Sequence, residues 1–152
     1  MRMTAPAIDI RAADSSDASV LAAIHAACFA KPWDAAEIGQ FLGVPGCLSL
    51  LASASPAQTP QGFLIVRSAG DEAELLTLAV AQACRRLGLA RALLGAAASA
   101  LRVAGTKQLF LEVDQGNSAA RGLYQSLGAV AVGRRPRYYE HGADADIFSL
   151  AL

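Results

Sequence analysis

Two residues twelve positions apart, Glu112 and Tyr124, are of the types that move protons in catalysis. Glu112 sits late in the run Gln108-Leu-Phe-Leu-Glu-Val113, among the apolar neighbours Phe110, Leu111 and Val113. Partial desolvation there would raise a carboxylate's pKa and suit it to act as a general base near neutrality. The alternative is a strand-end glutamate paired with an arginine. Tyr124 falls on the apolar stripe of a helical pattern. Its phenol would serve to protonate a leaving group, or else be a core tyrosine with its hydroxyl bonded. A third feature suits an anion. The apolar run Glu74-Leu-Leu-Thr-Leu-Ala-Val80 leads into the basic turn Arg85-Arg-Leu-Gly-Leu-Ala90, which opens an alanine-rich helix with no acidic residue in its first turns. Free backbone N–H groups and the positive end of the macrodipole make such a helix start an anion site. The plain alternative is an ordinary strand-to-helix loop.

Other chemistry is poorly supported. Cys84 precedes two arginines, which would lower a thiol pKa, but no histidine is near in sequence to act as its base. His25 and Cys28 lie three apart, and two such ligands alone do not make a metal site, so no metal is expected. The phosphate-binding G-x-x-x-x-G-K-[ST], the dinucleotide G-x-G-x-x-G and the hydrolase G-x-S-x-G patterns are absent.

The elements that must position these residues follow from pattern. Ile8 to Ala12 alternates as a strand. Asp14 to Ser16 offer caps for a helix from about Asp17 to Phe29. Lys31-Pro32-Trp33 breaks it, and Asp34-Ala-Ala-Glu37 resembles a capping box for a short helix ending near Leu42. Cys47–Ala54, Gly62–Ser68 and Glu72–Val80 read as strands. The helix after the basic turn is expected over Arg91–Ala104, closed by Gly105. Gln108–Val113, apolar on both faces except at Glu112, should be a central strand. Asn117 caps a helix ending at Gly128. Ala129–Gly133 and Ile147–Leu152 look like final strands, joined by an arginine- and tyrosine-rich segment. The order β-α-α-β-β-β-α-β-α-β-β predicts an α/β fold, a mixed sheet with helices on its faces, as one domain over residues 1–152.

Composition agrees with a compact domain. Of 152 residues, 54% are apolar and 17% charged, with 13 basic and 13 acidic residues. That balance does not favour nucleic acid or an anionic membrane as partner. Three widely spaced cysteines, Cys28, Cys47 and Cys84, favour a reducing, cytoplasmic setting. The first residues lack the apolar core of a signal peptide. The longest uncharged helical run, Ala92–Leu101, is too short to span a bilayer.

Taken together, Leu-Thr-Leu-Ala-Val80 followed by Arg85-x-x-Gly88-x-Ala90 resembles the acetyl-CoA motif of the GNAT N-acetyltransferases. Phe29-Ala-Lys-Pro-Trp33, Leu109-Phe-Leu-Glu-Val113, Asn117-Ser-Ala-Ala, Leu123-Tyr-Gln-Ser-Leu-Gly128 and Gly133-Arg-Arg-Pro-Arg-Tyr-Tyr139 narrow the resemblance to members that acetylate the N-terminal alanine of a ribosomal protein. The resemblance implies a GNAT fold, with a mostly antiparallel central sheet flanked by helices on both faces. It implies that Arg85, Arg86, Leu87, Gly88, Leu89 and Ala90 hold the pyrophosphate of acetyl-CoA. Leu78, Ala79 and Val80 would meet its pantetheine arm, with the Val80 N–H on the thioester carbonyl, and Asn117 would also contact the arm.

The resemblance also casts Glu112 as the base for the incoming amine, through water, and Tyr124 as the acid for the departing thiolate. Trp33, Arg135, Tyr138 and Tyr139 would contact the acceptor. The partner it implies is a ribosomal-protein N-terminus, met by a monomer or weak dimer. Two departures stand out. Ala90 replaces a frequent second glycine, and Ala129 stands where a phenylalanine often follows Leu-Gly; both bear on CoA affinity. A small-molecule amine as acceptor, or a non-catalytic acyl-CoA-binding module, are the competing readings.

Overall fold

The computed structural model describes residues 7–54, 59–85, 87–136, 138 and 144–152. Arg86 and Tyr139, two of the expected binding residues, lie outside the described residues. The strands are β1 (Ile8–Ala12), β2 (Cys47–Ala54), β3 (Gly62–Ala69), β4 (Glu72–Val80), β5 (Gln108–Asp114), β6 (Val130–Arg135) and β7 (Ala145–Ala151). The helices are α1 (Ala18–Cys28), α2 (Ala35–Gly39), α3 (Leu89–Val103) and α4 (Ser118–Ser126). Among the described residues the seven strands form one mixed, mostly antiparallel sheet in the order β1-β2-β3-β4-β5-β7-β6. The element order is the one expected from pattern. None of the described helices is long and apolar enough to cross a membrane. The chain divides into two compact units. One comprises 1–67 and 76–97, the other 68–75 and 98–152.

In the first unit β1 and β3 flank β2 antiparallel, with Leu51 opposite Phe63 and Ala52 opposite Gly62. The core gathers Leu21 and Ile24 of α1, Ile38 of α2, Leu51, Phe63, Ile65 and Ala79. Asp14 accepts from the Ser16 N–H at 2.9 Å, and Asp17 accepts from the Asp14 N–H at 2.9 Å, a reciprocal cap on the 3-10 turn leading into α1. Asp17 also pairs with Arg11 of β1 at 2.9 Å, which holds its carboxyl below the usual range. The Asp34–Glu37 capping box forms as its spacing predicts. The helix it starts stops at Gly39, short of Leu42. Beyond that point the bonds tighten to i,i+3, Phe41 N–H to Ile38 O and Leu42 N–H to Gly39 O, and Gly43 at φ +71° turns the chain away.

In the second unit β5 pairs parallel with the start of β4, from Glu72↔Gln108 to Glu74↔Phe110, and antiparallel with all of β7. β5 is interior, as expected, but its burial alternates. Leu109, Leu111 and Val113 are buried, whereas Phe110 and Glu112 are half-buried. Side chains alternate across a strand, and the second face is only partly covered. α3 ends on Gly105 at φ +92°, with the Thr106 N–H bonded to Leu101 O at 2.9 Å. α4 ends on Gly128 at φ +96°, with the Ala129 N–H bonded to Tyr124 O at 3.0 Å. Both are glycine-terminated helix ends that satisfy a late carbonyl.

The last two strands differ from expectation. β6 runs to Arg135 and β7 begins at Ala145, because pairing resumes after a bulge between Ala131 and Gly133 and continues to Arg135↔Ala145. The arginine run is therefore partly strand. Asp146 explains the extension: it is buried on β7 and takes Arg121 of α4 and Arg134 of β6, the latter at 3.2 Å. A buried carboxylate needs such partners, and here they tie α4 and β6 to β7. Replacing Asp146 with Ala should lower the unfolding free energy by about 2 kcal/mol, the scale of hydrogen bonds to a charged group. A fall in the urea midpoint at unchanged m-value would show it.

Candidate functional site

The first unit supplies a strand end and a helix start. On β4, Thr77 and Ala79 are buried, while Leu78 and Val80 are half-buried on the alternate face. The parallel ladder with β5 ends at Glu74, six residues before β4 does. The Val80 carbonyl accepts from the Cys28 thiol and from Arg85 Nε, each at 3.4 Å, and Arg85 also reaches the Cys28 sulfur at 3.7 Å. The exposed Arg85 guanidinium is thus folded back on the end of β4. Gly62 on β3 permits the close approach. A Cβ there would meet Ala79 O and Val80 Cγ2 at 3.2 Å, tighter than ordinary contact.

Beyond Arg85 the chain turns through the exposed Leu87 and Gly88. Gly88 has φ +86°, a conformation that side chains disfavour, and a Cβ there would meet only Ile8 at 3.8 Å. Backbone conformation, not crowding, therefore calls for the glycine. α3 begins at Leu89, two residues before the expected start, because the Ala92 N–H already bonds Gly88 O at 2.9 Å. Leu89 and Ala90 hence belong to the helix. Their amides precede its first i,i+4 bond, the position at which a helix start offers donors. Leu89 is only 1% exposed, so its side chain belongs to the core and only its amide could serve. The first turn carries no acidic residue. A diphosphate suits such a surface: a helix start with an exposed glycine before it and no acidic residue in its first turn.

The second unit carries the two candidate proton-moving residues, Glu112 and Tyr124. Glu112 on β5 is 27% exposed at its side chain, and its Oε1 lies 3.0 Å from Arg135. Its surroundings are thus an ion pair and not the apolar pocket its sequence neighbours suggest. With Arg135 52% exposed, the pair adds at most about 1 kcal/mol to stability. The Arg135 guanidinium also lies 5.4 Å from the ring centroid of Tyr138, which is half exposed. Asn117 caps α4, its side chain accepting from the Ala120 N–H at 3.1 Å. Tyr124 is buried, its ring edge-on to Phe148 at 6.1 Å. Both the Asn117 cap and the core placement of Tyr124 are the plainer roles their patterns allowed.

The residue that sequence spacing passed over is His25. It is 3% exposed and its Nδ1 accepts the Trp33 N–H at 3.0 Å. With Nδ1 accepting, Nε2 carries the proton and faces Thr77 Oγ1 of β4 at 3.1 Å. The ring stacks between Phe29 at 4.3 Å and Trp33 at 5.0 Å. Trp33, expected at the acceptor, is half-buried against His25 and Phe41. The available signal was Thr77, a polar residue inside an apolar strand that needs a partner.

Residues 19–129 match the acetyltransferase (GNAT) family. The chain belongs to that family and is a GNAT-type N-acetyltransferase by class; acetyl-CoA is the family's acyl donor. Among its relatives, it is 34% identical over 116 residues to the [ribosomal protein bS18]-alanine N-acetyltransferase of Haemophilus ducreyi, covering 76% of this chain and 78% of that protein. It is 37% identical over 120 residues to the uncharacterized protein ML0378 of Mycobacterium leprae, covering 76% of this chain but only 32% of that protein's length. The fold is similar to the crystal structure of the ribosomal-protein-S18-alanine N-acetyltransferase from Escherichia coli, with TM-score 0.87, 30% identity, and coverage of 95% of this chain and 94% of that one.

Burial pushes the His25 pKa below its ordinary 6.5, with Glu37 acting weakly the other way. A lowered folded-state pKa means the unfolded chain binds the proton first. The contribution is full above about pH 6.5 and is lost as the pH falls below it. Guanidinium unfolding between pH 8 and pH 5 should therefore show stability declining at the acid end, and His25→Gln should flatten that part of the profile.

Proposed function

We propose that the protein transfers the acetyl group of acetyl-CoA to the α-amine of a protein N-terminus, with the N-terminal alanine of a small-subunit ribosomal protein as acceptor. The observation that carries the acceptor is the likeness to the Haemophilus ducreyi enzyme, which runs over most of both chains. The helix-start amides of Gly88, Leu89 and Ala90, with Arg85, Arg86 and Leu87, would hold the pyrophosphate. The end of β4 at Leu78, Ala79 and Val80 would align the pantetheine arm. Acetyl-CoA supplies the activated acyl group.

The chain's own residues then manage protons. Glu112 takes the proton that the amine nitrogen loses as it bonds to the acyl carbon, by way of water. Tyr124 gives its proton to the departing thiolate. Direct attack needs only positioning, because an α-amine of pKa about 7.7–8.0 is already partly neutral at pH 7. Trp33, Arg135, Tyr138 and Tyr139 would contact the acceptor. The reading takes residues 1–152 as one domain, working in the cytoplasm as a monomer or weak dimer.

Thiol release with an alanine-starting peptide tests these roles. Glu112→Gln and Tyr124→Phe should each lower kcat by about 10²–10⁴-fold, the usual scale of general acid–base catalysis. Wild-type kcat in both variants would sink the assignment. Turnover of free polyamines in preference to peptides would replace the acceptor.

A further inference from the structure

We propose that Arg135 is the positioning residue of the base and restricts the acceptor to amines that are substantially neutral near pH 7. The inference rests on the reading of Glu112 as the base. β5 and β6 flank β7, and both Glu112 and Gly133 pair with Ile147, while Arg135 pairs two residues along with Ala145. Directly opposed residues share a face, so Glu112, Ile147 and Gly133 form one row across three strands and Arg135 lies in the next row on the same face. Gly133 contributes no side chain to that row, and Arg135 reaches over β7 to meet Glu112 at 3.0 Å. The Tyr138 ring beneath the guanidinium at 5.4 Å orients it from a second side. The carboxylate is therefore oriented by a guanidinium that also lies over the Tyr138 ring.

The same pairing sets charge. A carboxylate already matched by a guanidinium attracts an ammonium weakly, so a protonated amine gains little at this site. An α-amine of pKa about 7.7–8.0 is neutral for roughly a tenth of molecules at pH 7. A lysine side chain of pKa about 10.4 is neutral for fewer than about one in a thousand. Arg135 thereby favours N-termini over lysine side chains by acting through Glu112.

The experiment compares wild type, Arg135→Ala, Arg135→Lys, Glu112→Gln and the Glu112→Gln/Arg135→Ala double variant. The substrates are an alanine-starting peptide and an Nα-blocked lysine peptide, with thermal unfolding confirming that each variant is folded. Arg135→Ala should lower kcat on the alanine peptide about tenfold at nearly constant KM, as expected for a misaimed base. Arg135→Lys should recover most of it. The ratio of kcat/KM between the two peptides should narrow several-fold in Arg135→Ala, and the double variant should be no slower than Glu112→Gln. A raised KM at unchanged kcat, an unaltered ratio, or additive losses in the double variant would overturn the proposal while leaving Glu112 as base. Wild-type kcat in Glu112→Gln would instead remove the base reading itself.

Discussion

The antiparallel ladder between β5 and β7 is the interaction on which the second unit depends. It runs without interruption from Gln108↔Ala151 to Asp114↔Ala145. A slip of one residue would turn Glu112 to the opposite face and bring Val113 to its place. The same ladder sets Asp146 beside Val113, where its carboxylate takes Arg121 from α4 and Arg134 from β6. α4 carries Tyr124 one turn beyond Arg121, so the ion pair that satisfies a buried charge also anchors the helix bearing the candidate acid. Burial of Leu109, Leu111, Val113 and Phe148 drives the register, and the polar residues occupy the positions that register leaves them.

In the first unit the corresponding constraint is the end of β4. The Val80 carbonyl is met by Cys28 from α1 and Arg85 from the following turn. Three residues earlier Thr77 is met by His25. Apolar packing of Ile24, Phe63 and Ala79 brings α1 to this strand, and these polar contacts then fix its placement. Gly62 and Gly88 act differently. Gly62 removes a side chain where Val80 and Ala79 come close, and Gly88 supplies a backbone conformation that lets α3 begin at once.

Much of this was legible because its causes are local. The caps at Asp14, Asp34 and Asn117 act within three residues, and the glycine ends at 105 and 128 act within one turn. The two-residue period of β1, the apolar runs of β2 and β4 and the helical period of α3 and α4 need no partner to be read. Boundaries went astray where a partner decided them. β6 runs longer because β7 continues the pairing past a bulge.

The chain alone therefore determined the order of elements, the basic turn and acid-free helix start that follow β4, and the presence of a carboxylate and a phenol on the next strand and helix. Those properties depend on residue type, period and short-range geometry. Tertiary structure decided whom each side chain meets. It gave Glu112 an arginine in place of an apolar pocket, buried His25 between Phe29 and Trp33 with Thr77 as partner, and turned Asp146 into the tie between α4 and β6. These partners lie 8 to 52 residues apart for His25 and 25 for Asp146 and Arg121. No local period encodes such distances, because they are closed by burial of apolar faces elsewhere in the chain.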